Sequence, residues 1–513
     1  MRTRAVTALA AVLAGTLALG ACSAGSTSTP GGGGTAGTGG AGGGSGANAL
    51  AVGMVAEPAS LDFTTTDGAA IPQALLTNVY EGLVELDGEG KIVPALATSW
   101  QVSPDRKTYT FELDPKARFS SGAPFTAADA VFSIERVKKD WTVSLKSAMD
   151  VVASAKAQGD HRLVVTLTEP SNDWLFRMTT RVGAMFSRTG VDALATKPVG
   201  TGPYTLGEWK RGDSITLNRN PSYGGQKPFF DSVRLAYFKE PTALNNALLT
   251  GTIDVISTVQ APDTVEQFTS DDRFEVVEGT TNGEVVLSMN NAKGPFADAR
   301  VRRAARQAID HRALLDLCWA GRGTLIGSMV PPTDPWYEDL TGVVPFDLAA
   351  SKALLAKAGT PNPAIRLRLP TLPYAAECGQ VVKSQLEQAG FRVTLDQLEF
   401  PAAWLTTVFK GGDYDASIIA HVEPRDLPTV FGNPDYYIHY KNPQLTAALA
   451  AADAGDEATQ AAQMKKAARL LAEDSASDWL FLLPNLMVAK KGITGLPKNA
   501  ITESFDVTGL ARG

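Results

Sequence analysis

Between Asp347 and Ala420 the chain alternates between segments with helical periodicity and short segments with strand character. The predicted helices span 348–358, 375–389 and 401–410, and the predicted strands span 365–369, 391–398 and 416–420. Gly359 and Gly390 follow the first two helices, where a glycine commonly ends a helix. Strands that alternate with helices need crossover connections, which place the strands in a largely parallel sheet. This segment therefore predicts an α/β fold.

The length of the chain predicts more than one hydrophobic core. A chain of 513 residues exceeds what one core usually organises, so we expect two or more lobes. Apolar residues at 44% and charged residues at 20% are typical of a soluble globular protein. The formal charge of −7 and the lack of any Lys- or Arg-rich run argue against a nucleic-acid partner.

Residues 99–137 combine a strand, a turn and the start of a helix. Apolar side chains at every second position from Tyr109 to Leu113 predict a strand with one buried face. Thr126 lies three residues before Asp129, a spacing at which hydroxyl and carboxylate satisfy free amide groups at a helix start. Taken alone, these patterns indicate buried structural elements without chemistry.

The same residues resemble a family signature. The order Asp-x-x-Thr-Tyr-Thr-Phe-x-Leu from Asp105 is followed by Phe-Ser-x-Gly-x-Pro-Phe-Thr-Ala-x-Asp-Ala-Val-Phe-Ser from Phe119. This order is similar to the signature of the family-5 extracellular solute-binding proteins, the peptide- and nickel-type receptors of ABC importers. Residues 295–302 and 308–310 resemble a second motif of that family.

The resemblance implies a two-lobe α/β fold like that of periplasmic binding proteins (type II), with a hinged cleft and an additional small subdomain in the first lobe. The segments 284–289 and 479–488 are then the expected crossings between lobes. The expected domains are a first lobe at 49–285 plus 488–513, with the subdomain at roughly 90–197, and a second lobe at 286–487.

Residues 1–22 are typical of a lipoprotein signal peptide. Arg2 and Arg4 precede an apolar run at 5–19 that is too short to span a bilayer. The ending Leu-Gly-Ala-Cys resembles a bacterial lipobox, which implies lipidation of Cys22; an ordinary secretory signal with an incidental Cys is the alternative. Residues 23–48 are rich in Gly, Ser and Thr and predict a flexible tether. We expect an exported protein, lipid-anchored on the outer side of the cell membrane.

The sequence offers little for catalysis. Its four His residues are scattered, and it contains no H-E-x-x-H spacing, no G-x-S-x-G motif and no phosphate loop. We therefore expect no enzyme activity, no cofactor and no metal site. Past Cys22 the only thiols are Cys318 and Cys378, which in an exported protein indicate a disulfide, with two buried free thiols as the alternative.

The arginines of the helix predicted after Asp298 are Arg300, Arg302, Arg303 and Arg306. They could form an anion site, but a solvated helix face is the favoured interpretation.

The loop after the strand at 416–420 is the best candidate for ligand binding, since ligands bind beyond strand ends in open α/β sheets. In peptide-binding members of the resembled family, this loop carries an Asp that pairs with the amino terminus of the peptide. Its position falls at Pro424 here, so the flanking Glu423 and Asp426 are the candidate carboxylates. His421, Trp404 and Tyr436 are candidate lining residues, although a lone aromatic is more often part of a core.

The resemblance, together with the signal peptide and tether, implies a monomeric, membrane-tethered substrate-binding protein that captures a small solute, most simply a short peptide. It further implies that the solute is delivered to the permease and ATPase subunits of an ABC importer. A receptor for a metal chelate or another non-peptide solute is the alternative, with His421 and His439 as the nearby imidazoles. A lipoprotein hydrolase is less favoured, because it would require an activated Ser or Cys beside a base.

Overall fold

A ten-stranded sheet lies at the centre of the described chain, which in the computed structural model comprises residues 48–513. The predictions for the signal peptide, for Cys22 and for all but the last residue of the tether lie outside the described residues. Within residues 48–513, no helix combines the length and the apolar character needed to span a membrane.

The strands are β1 (Ala49–Met54), β2 (Val84–Leu86), β3 (Ile92–Pro94), β4 (Ala97–Val102), β5 (Thr108–Leu113), β6 (Val152–Ala157), β7 (Arg162–Leu167), β8 (Tyr204–Lys210), β9 (Ser214–Arg219), β10 (Ser232–Tyr237), β11 (Val255–Ile256), β12 (Phe274–Met289), β13 (Ala364–Pro370), β14 (Arg392–Leu398), β15 (Ala416–His421), β16 (Asp478–Lys490), β17 (Ile493–Thr494) and β18 (Ala511–Arg512). The helices are α1 (Ala70–Leu75), α2 (Ala127–Asp140), α3 (Asn172–Arg177), α4 (Pro241–Leu249), α5 (Glu266–Thr269), α6 (Ala299–Ala308), α7 (His311–Cys318), α8 (Leu348–Lys357), α9 (Pro373–Ala389), α10 (Ala402–Trp404), α11 (Leu427–Gly432), α12 (Pro443–Ala454) and α13 (Glu457–Asp474).

Two long strands, β12 and β16, join the halves of the main sheet. In the order β14-β13-β15-β12-β16-β11-β1-β10-β9-β8 they lie side by side at the centre. They pair antiparallel from Phe274 opposite Lys490 to Leu287 opposite Asp478, with a register shift between Thr280 and Glu284. Both predicted crossing segments are therefore confirmed as strands, and the first begins earlier than predicted.

The predicted alternation in the second lobe is confirmed for three strands. β13 pairs in parallel with both β14 and β15, and α9 connects β13 to β14. The main sheet as a whole is nevertheless mixed rather than largely parallel, because β15 pairs antiparallel with β12. β12 arrives from the first lobe without a crossover helix, so the rule that makes crossover-linked strands parallel does not apply to it.

Buried apolar residues form separate clusters on the two sides of the crossing strands. Two clusters draw on residues 50–274 and 486–510, and two others lie within residues 285–482. Each lobe therefore has its own core, as the length of the chain predicts.

A four-stranded antiparallel sheet, ordered β4-β5-β7-β6, carries the segment with the family signature. Tyr109 and Phe111 of β5 are buried against this part of the first-lobe core. At the start of α2, the Asp129 carboxylate accepts hydrogen bonds from the backbone N–H of Thr126 at 3.0 Å and from its hydroxyl at 2.6 Å. The predicted strand and helix start are both confirmed, and the Thr126 and Asp129 side chains serve to cap the helix.

The predicted solvated face of α6 is wrong for two of its arginines, because Arg302 and Arg306 are buried. Arg302 Nε donates to the carbonyl of Ser475 at 3.0 Å. Arg306 donates to the carbonyl of Ala472 at 2.6 Å and to the carboxylate of Asp478 at 3.1 Å. Both guanidinium groups thus donate hydrogen bonds to acceptors between the end of α13 and the start of β16. The periodicity of α6 alone does not reveal these contacts.

Cys318 at the end of α7 and Cys378 in α9 form a disulfide in the second lobe, with Cα atoms 4.9 Å apart. Both residues are buried in the cluster that packs α7 and α9 against the sheet. The bridge therefore joins two helices that also contact each other through apolar side chains.

We predict that the paired substitution Cys318→Ser and Cys378→Ser lowers the free energy of unfolding. Closing a loop with a sequence separation of 60 residues restricts the unfolded chain by an amount worth on the order of 4 kcal/mol in a chain-entropy model. Denaturant unfolding of the variant and the unreduced wild type measures the difference. Two thiols that alkylate freely in unreduced, denatured wild-type protein would refute the bridge itself.

Candidate functional site

A cavity of about 550 Å³ lies where the two lobes face each other. The first lobe provides most of its lining, the crossing strands provide residues such as Asn282 and Asn485, and the second lobe provides Val422 and Glu423. A volume of this size lies within the range that binds small organic ligands. The cavity is therefore the candidate ligand-binding cleft.

The segment 497–506 reaches the cleft because it packs on the crossing strands. The backbone N–H of Ala500 donates to the carbonyl of Thr280 at 2.9 Å, and Asn282 Nδ2 donates to the carbonyl of Ile501 at 2.9 Å. Gly279 allows this approach, since a Cβ atom there would lie 1.7 Å from the carbonyl oxygen of Lys498. Any other residue at Gly279 would displace the segment that forms one wall of the cleft.

Carboxylates outnumber cationic groups in the lining of the cleft. The charged lining residues are Glu85, Asp87, Glu423, Glu503 and Asp506 on the acidic side and Arg181 on the basic side. Arg181 is neutralised by Glu503, whose oxygens accept from its Nε and from its backbone N–H, each at 2.7 Å. The remaining carboxylates give the cleft a negative potential, which low-dielectric walls focus and which favours a cationic ligand.

Glu85 and Asp506 also line a second cavity of about 290 Å³ in the first lobe, together with Glu81. Burial, and then the nearby charge of Asp506, raise the pKa of Glu85 to about 7. Burial likewise raises the pKa of Glu81 to about 7, although the Tyr223 hydroxyl donates to it at 3.1 Å. These carboxyl groups therefore lose protons near neutral pH, where a cation beside them would favour ionisation.

Glu423 is the one candidate carboxylate that the structure places in the cleft lining. It lies two residues beyond the end of β15, on the loop that the sequence analysis selected. Its side chain is exposed, and among the described residues it makes no hydrogen bond and no ion pair. A ligand ammonium at Glu423 would therefore find an acceptor that has no other partner among the described residues.

Asp426, the other candidate, is buried in the second lobe and does not line the cleft. Burial, and then the charge of Glu423, raise the pKa of Asp426 well above its usual range. Glu284 on β12 is buried too, its Oε2 has no hydrogen-bond partner among the described residues, and burial and Asp426 raise its pKa. Burial therefore disfavours the charged form of both groups.

The three remaining candidates come together around Tyr437 in the core of the second lobe, behind the cleft. The ring of Trp404 lies 5.8 Å, that of His421 6.1 Å and that of Tyr436 5.1 Å from the Tyr437 ring, measured between centroids. His421 Nε2 lies 3.0 Å from the Tyr437 hydroxyl, and burial lowers the pKa of His421 to about 4. None of the three is among the residues that line the cleft.

Sequence reasoning missed most of the charged lining. Glu85, Arg181 and Glu503 come from three distant parts of the chain, and no local motif marks any of them. The one available signal was the expectation that the last 22 or so residues rejoin the first lobe, which does not specify which side chains face the cleft. Among residues 48–513, no group of three or more His, Cys, Asp or Glu side chains has an arrangement that could hold a metal ion.

Comparisons with known proteins agree with this architecture. A family model described as bacterial extracellular solute-binding proteins, family 5 Middle, matches residues 91–437. Protein XP55 of Streptomyces lividans is 30% identical over 322 residues, which are 61% of this chain and 57% of that protein. The nickel-binding periplasmic protein of Escherichia coli K12 is 28% identical over 351 residues, which are 62% of this chain and 65% of that protein.

Both alignments therefore span less than two thirds of the relative's own length. Among solved structures, the fold is similar to that of an ABC transporter-associated periplasmic binding protein from Helicobacter pylori in complex with the peptide STSA. The TM-score is 0.79 at 23% identity, over 90% of this chain and 98% of that chain. This likeness covers the two-lobe fold as a whole.

We predict that Glu85→Gln stabilises the protein at pH 8 and changes little at pH 4. A carboxyl with a folded-state pKa of about 7 binds its proton more tightly in the folded chain than in the unfolded chain, whose Glu pKa is near 4.5. Folding is therefore penalised progressively as pH rises from 4.5 to 7, by on the order of 2 kcal/mol for one such group. Calorimetric unfolding between pH 4 and pH 8 measures how the free energy of unfolding changes with pH.

Glu89→Gln is the matched control, because Glu89 lies exposed in the turn after β2. The control should unfold like the wild type at every pH. An equal pH slope for wild type and Glu85→Gln would show that Glu85 is not held protonated in the folded protein.

Proposed function

The chain belongs to the bacterial extracellular solute-binding proteins of family 5, and from that premise we propose that it captures a short peptide, or a similar solute with a cationic end, in the cleft between its lobes. It then delivers the solute to the permease and ATPase subunits of an ABC importer. It acts as an exported monomer that a lipid on Cys22 holds at the membrane. Members of the family bind solutes rather than transform them, so no catalytic residue is assigned.

The observation that carries this proposal is the charge of the cleft. Its lining brings five carboxylates together with a single guanidinium, and that guanidinium is already paired with Glu503. An anionic ligand would meet repulsion from both lobes, whereas an ammonium group gains from every unpaired carboxylate. The peptide amino terminus is the cationic group that all short peptides without a blocking group share.

Glu423 is the proposed anchor for that ammonium. It is the acidic lining residue of the second lobe, and it faces Glu85 and Asp506 of the first lobe across the cavity. A ligand that bridges these groups contacts both lobes, so it stabilises the closed arrangement over an open one. The importer would then recognise the closed form.

Asp426 is assigned a supporting role. Its carboxyl is buried, does not line the cleft and has its charged form disfavoured by burial, whereas Glu423 is exposed in the cleft lining. This assignment separates the two candidates that the sequence left open.

We predict that Glu423→Gln weakens binding of a synthetic tripeptide pool by about 2–5 kcal/mol, which is roughly 30-fold or more in Kd. The substitution keeps the shape of the side chain but removes the charge that compensates the desolvated ammonium. Isothermal titration calorimetry of wild type and variant with the same pool measures the loss.

Asp426→Asn is the matched control, since it makes the same carboxyl-to-amide change at a buried residue that does not line the cleft. It should leave the affinity within about threefold of wild type, a shift smaller than the loss of one net hydrogen bond. A large loss of affinity in Asp426→Asn with little change in Glu423→Gln would assign the anchor to Asp426 instead. If the wild type binds no peptide but retains a metal chelate through purification, as native mass spectrometry and metal analysis would reveal, the peptide assignment is wrong.

We predict that Cys22→Ala releases the protein from the membrane without unfolding it. The Leu-Gly-Ala-Cys ending and the Gly-rich segment after it are typical of a lipidated Cys on a tether. A multiply acylated Cys holds a membrane stably, so loss of the acylated residue removes the proposed anchor. Membrane fractionation of cells expressing either form is the measurement, and an Ala variant that stays fully membrane-bound would refute lipidation of Cys22.

A further inference from the structure

Arg425 joins the two lobes at the edge of the cleft. It belongs to the second lobe, yet its Nη2 donates to the carbonyl of Gly90 in the first lobe at 3.3 Å. Its guanidinium carbon lies 4.1 Å from the ring centroid of Phe176 in α3 and 4.7 Å from that of Trp336 in the second lobe. Asp334 holds the same group from the second lobe, with its Oδ1 3.5 Å from Nε. The cation is thus enclosed between one aromatic ring from each lobe.

The loop geometry connects this contact to the proposed anchor. Arg425 has a φ of 54°, a left-handed conformation that is uncommon for a residue with a side chain. The backbone turns there immediately after Glu423 and Pro424, so Glu423 points to the cleft while Arg425 reaches toward Phe176. One short loop therefore carries both a cleft carboxylate and an interlobe contact.

A second set of contacts crosses between the lobes, where the start of α3 meets the end of α12. Asn172 Nδ2 donates to the carbonyls of Ala452 and Gly455, each at 2.9 Å. The Asp453 carboxylate accepts from the Ser171 hydroxyl at 3.0 Å and from the backbone N–H of Asp173 at 2.8 Å. These bonds exist only while the lobes are together.

The Asp173 amide is a natural reporter of closure. It lies in the first turn of α3, where backbone N–H groups have no acceptor within the helix. Its partner is Asp453 of the other lobe, so separation of the lobes leaves this amide free to exchange with solvent. Arg425 takes no part in that bond.

We propose that Arg425 is a positioning residue that couples the Glu423 loop to closure of the lobes. The guanidinium docks between Phe176 and Trp336 only when the lobes meet, and this docking fixes the loop that presents Glu423. A ligand that orders the loop would therefore favour closure, and closure would in turn favour the loop conformation that binds. The coupling itself does not require the ligand to be a peptide.

Arginine suits this role better than lysine. Its planar group stacks between two rings while its edge nitrogens still reach Gly90 and Asp334. A lysine ammonium keeps the charge but cannot fill the space between the two rings while also reaching Gly90 and Asp334. Arg425→Lys is therefore a substitution that tests the docking geometry rather than the charge.

The test is amide hydrogen exchange of the ligand-free full chain, read at the peptide that contains Asp173. Arg425→Lys should accelerate exchange at Asp173 on the order of tenfold, the change expected for loss of one enclosed ion–ring contact and its hydrogen bond. Phe176→Leu, on the opposite lobe, should do the same. The double variant should exchange little faster than either single variant, because both substitutions disrupt the same contact between Arg425 and Phe176.

Arg469→Lys is the matched control, since Arg469 pairs with Glu338 inside the second lobe; its exchange at Asp173 should equal that of the wild type. Unchanged exchange in Arg425→Lys, or acceleration confined to the loop at 423–427, would overturn the inference. Titration of the variants with the tripeptide pool should show a matching rise in apparent Kd. Only this titration rests on the proposed function. If neither the variants nor the wild type binds peptide, the exchange result still decides the role of Arg425.

Discussion

The antiparallel pairing of β12 with β16 is the constraint on which the rest of the structure depends. These strands carry the chain from one core to the other and back, and they are hydrogen-bonded to each other on both sides of a register shift. The shift falls between Thr280 and Glu284, at the residues that line the cleft between the lobes. A bulge bends a strand and interrupts its ladder, so the pairing of the crossing strands is interrupted where they line the ligand cavity. Gly279 then admits the segment 497–506, which supplies much of the acidic wall.

The electrostatics of the second lobe follow from what is buried and what is not. Glu284 and Asp426 lie inside the lobe, where desolvation raises their pKa values, while Glu423 stays exposed in the cleft lining. Burial therefore disfavours the charged form of Glu284 and Asp426. His421 is neutral at pH 7, because its burial lowers its pKa to about 4. In the cleft lining, the second lobe contributes a single acidic side chain, Glu423.

Much of the fold was predictable, because local patterns in the sequence determine it. The alternation that gives β13, β14 and β15, and the Thr126–Asp129 spacing that begins α2, both depend on neighbouring residues alone. The site was not predictable in the same way. His421 follows a predicted strand and Trp404 is an aromatic candidate for the pocket, but both pack against Tyr437, which comes from a later segment. Glu85, Arg181 and Glu503 meet only because the chain folds three distant segments into one cleft.

The acidic lining predicts that the cleft recognises a cationic group at one end of its ligand. A pair of calorimetric titrations of the wild-type protein tests this, with a tripeptide pool and with the same pool acetylated at the amino terminus. Acetylation removes the ammonium charge and changes little else, so we expect affinity to fall by about 2 kcal/mol or more, roughly 30-fold. Equal affinity for the free and acetylated pools would contradict it.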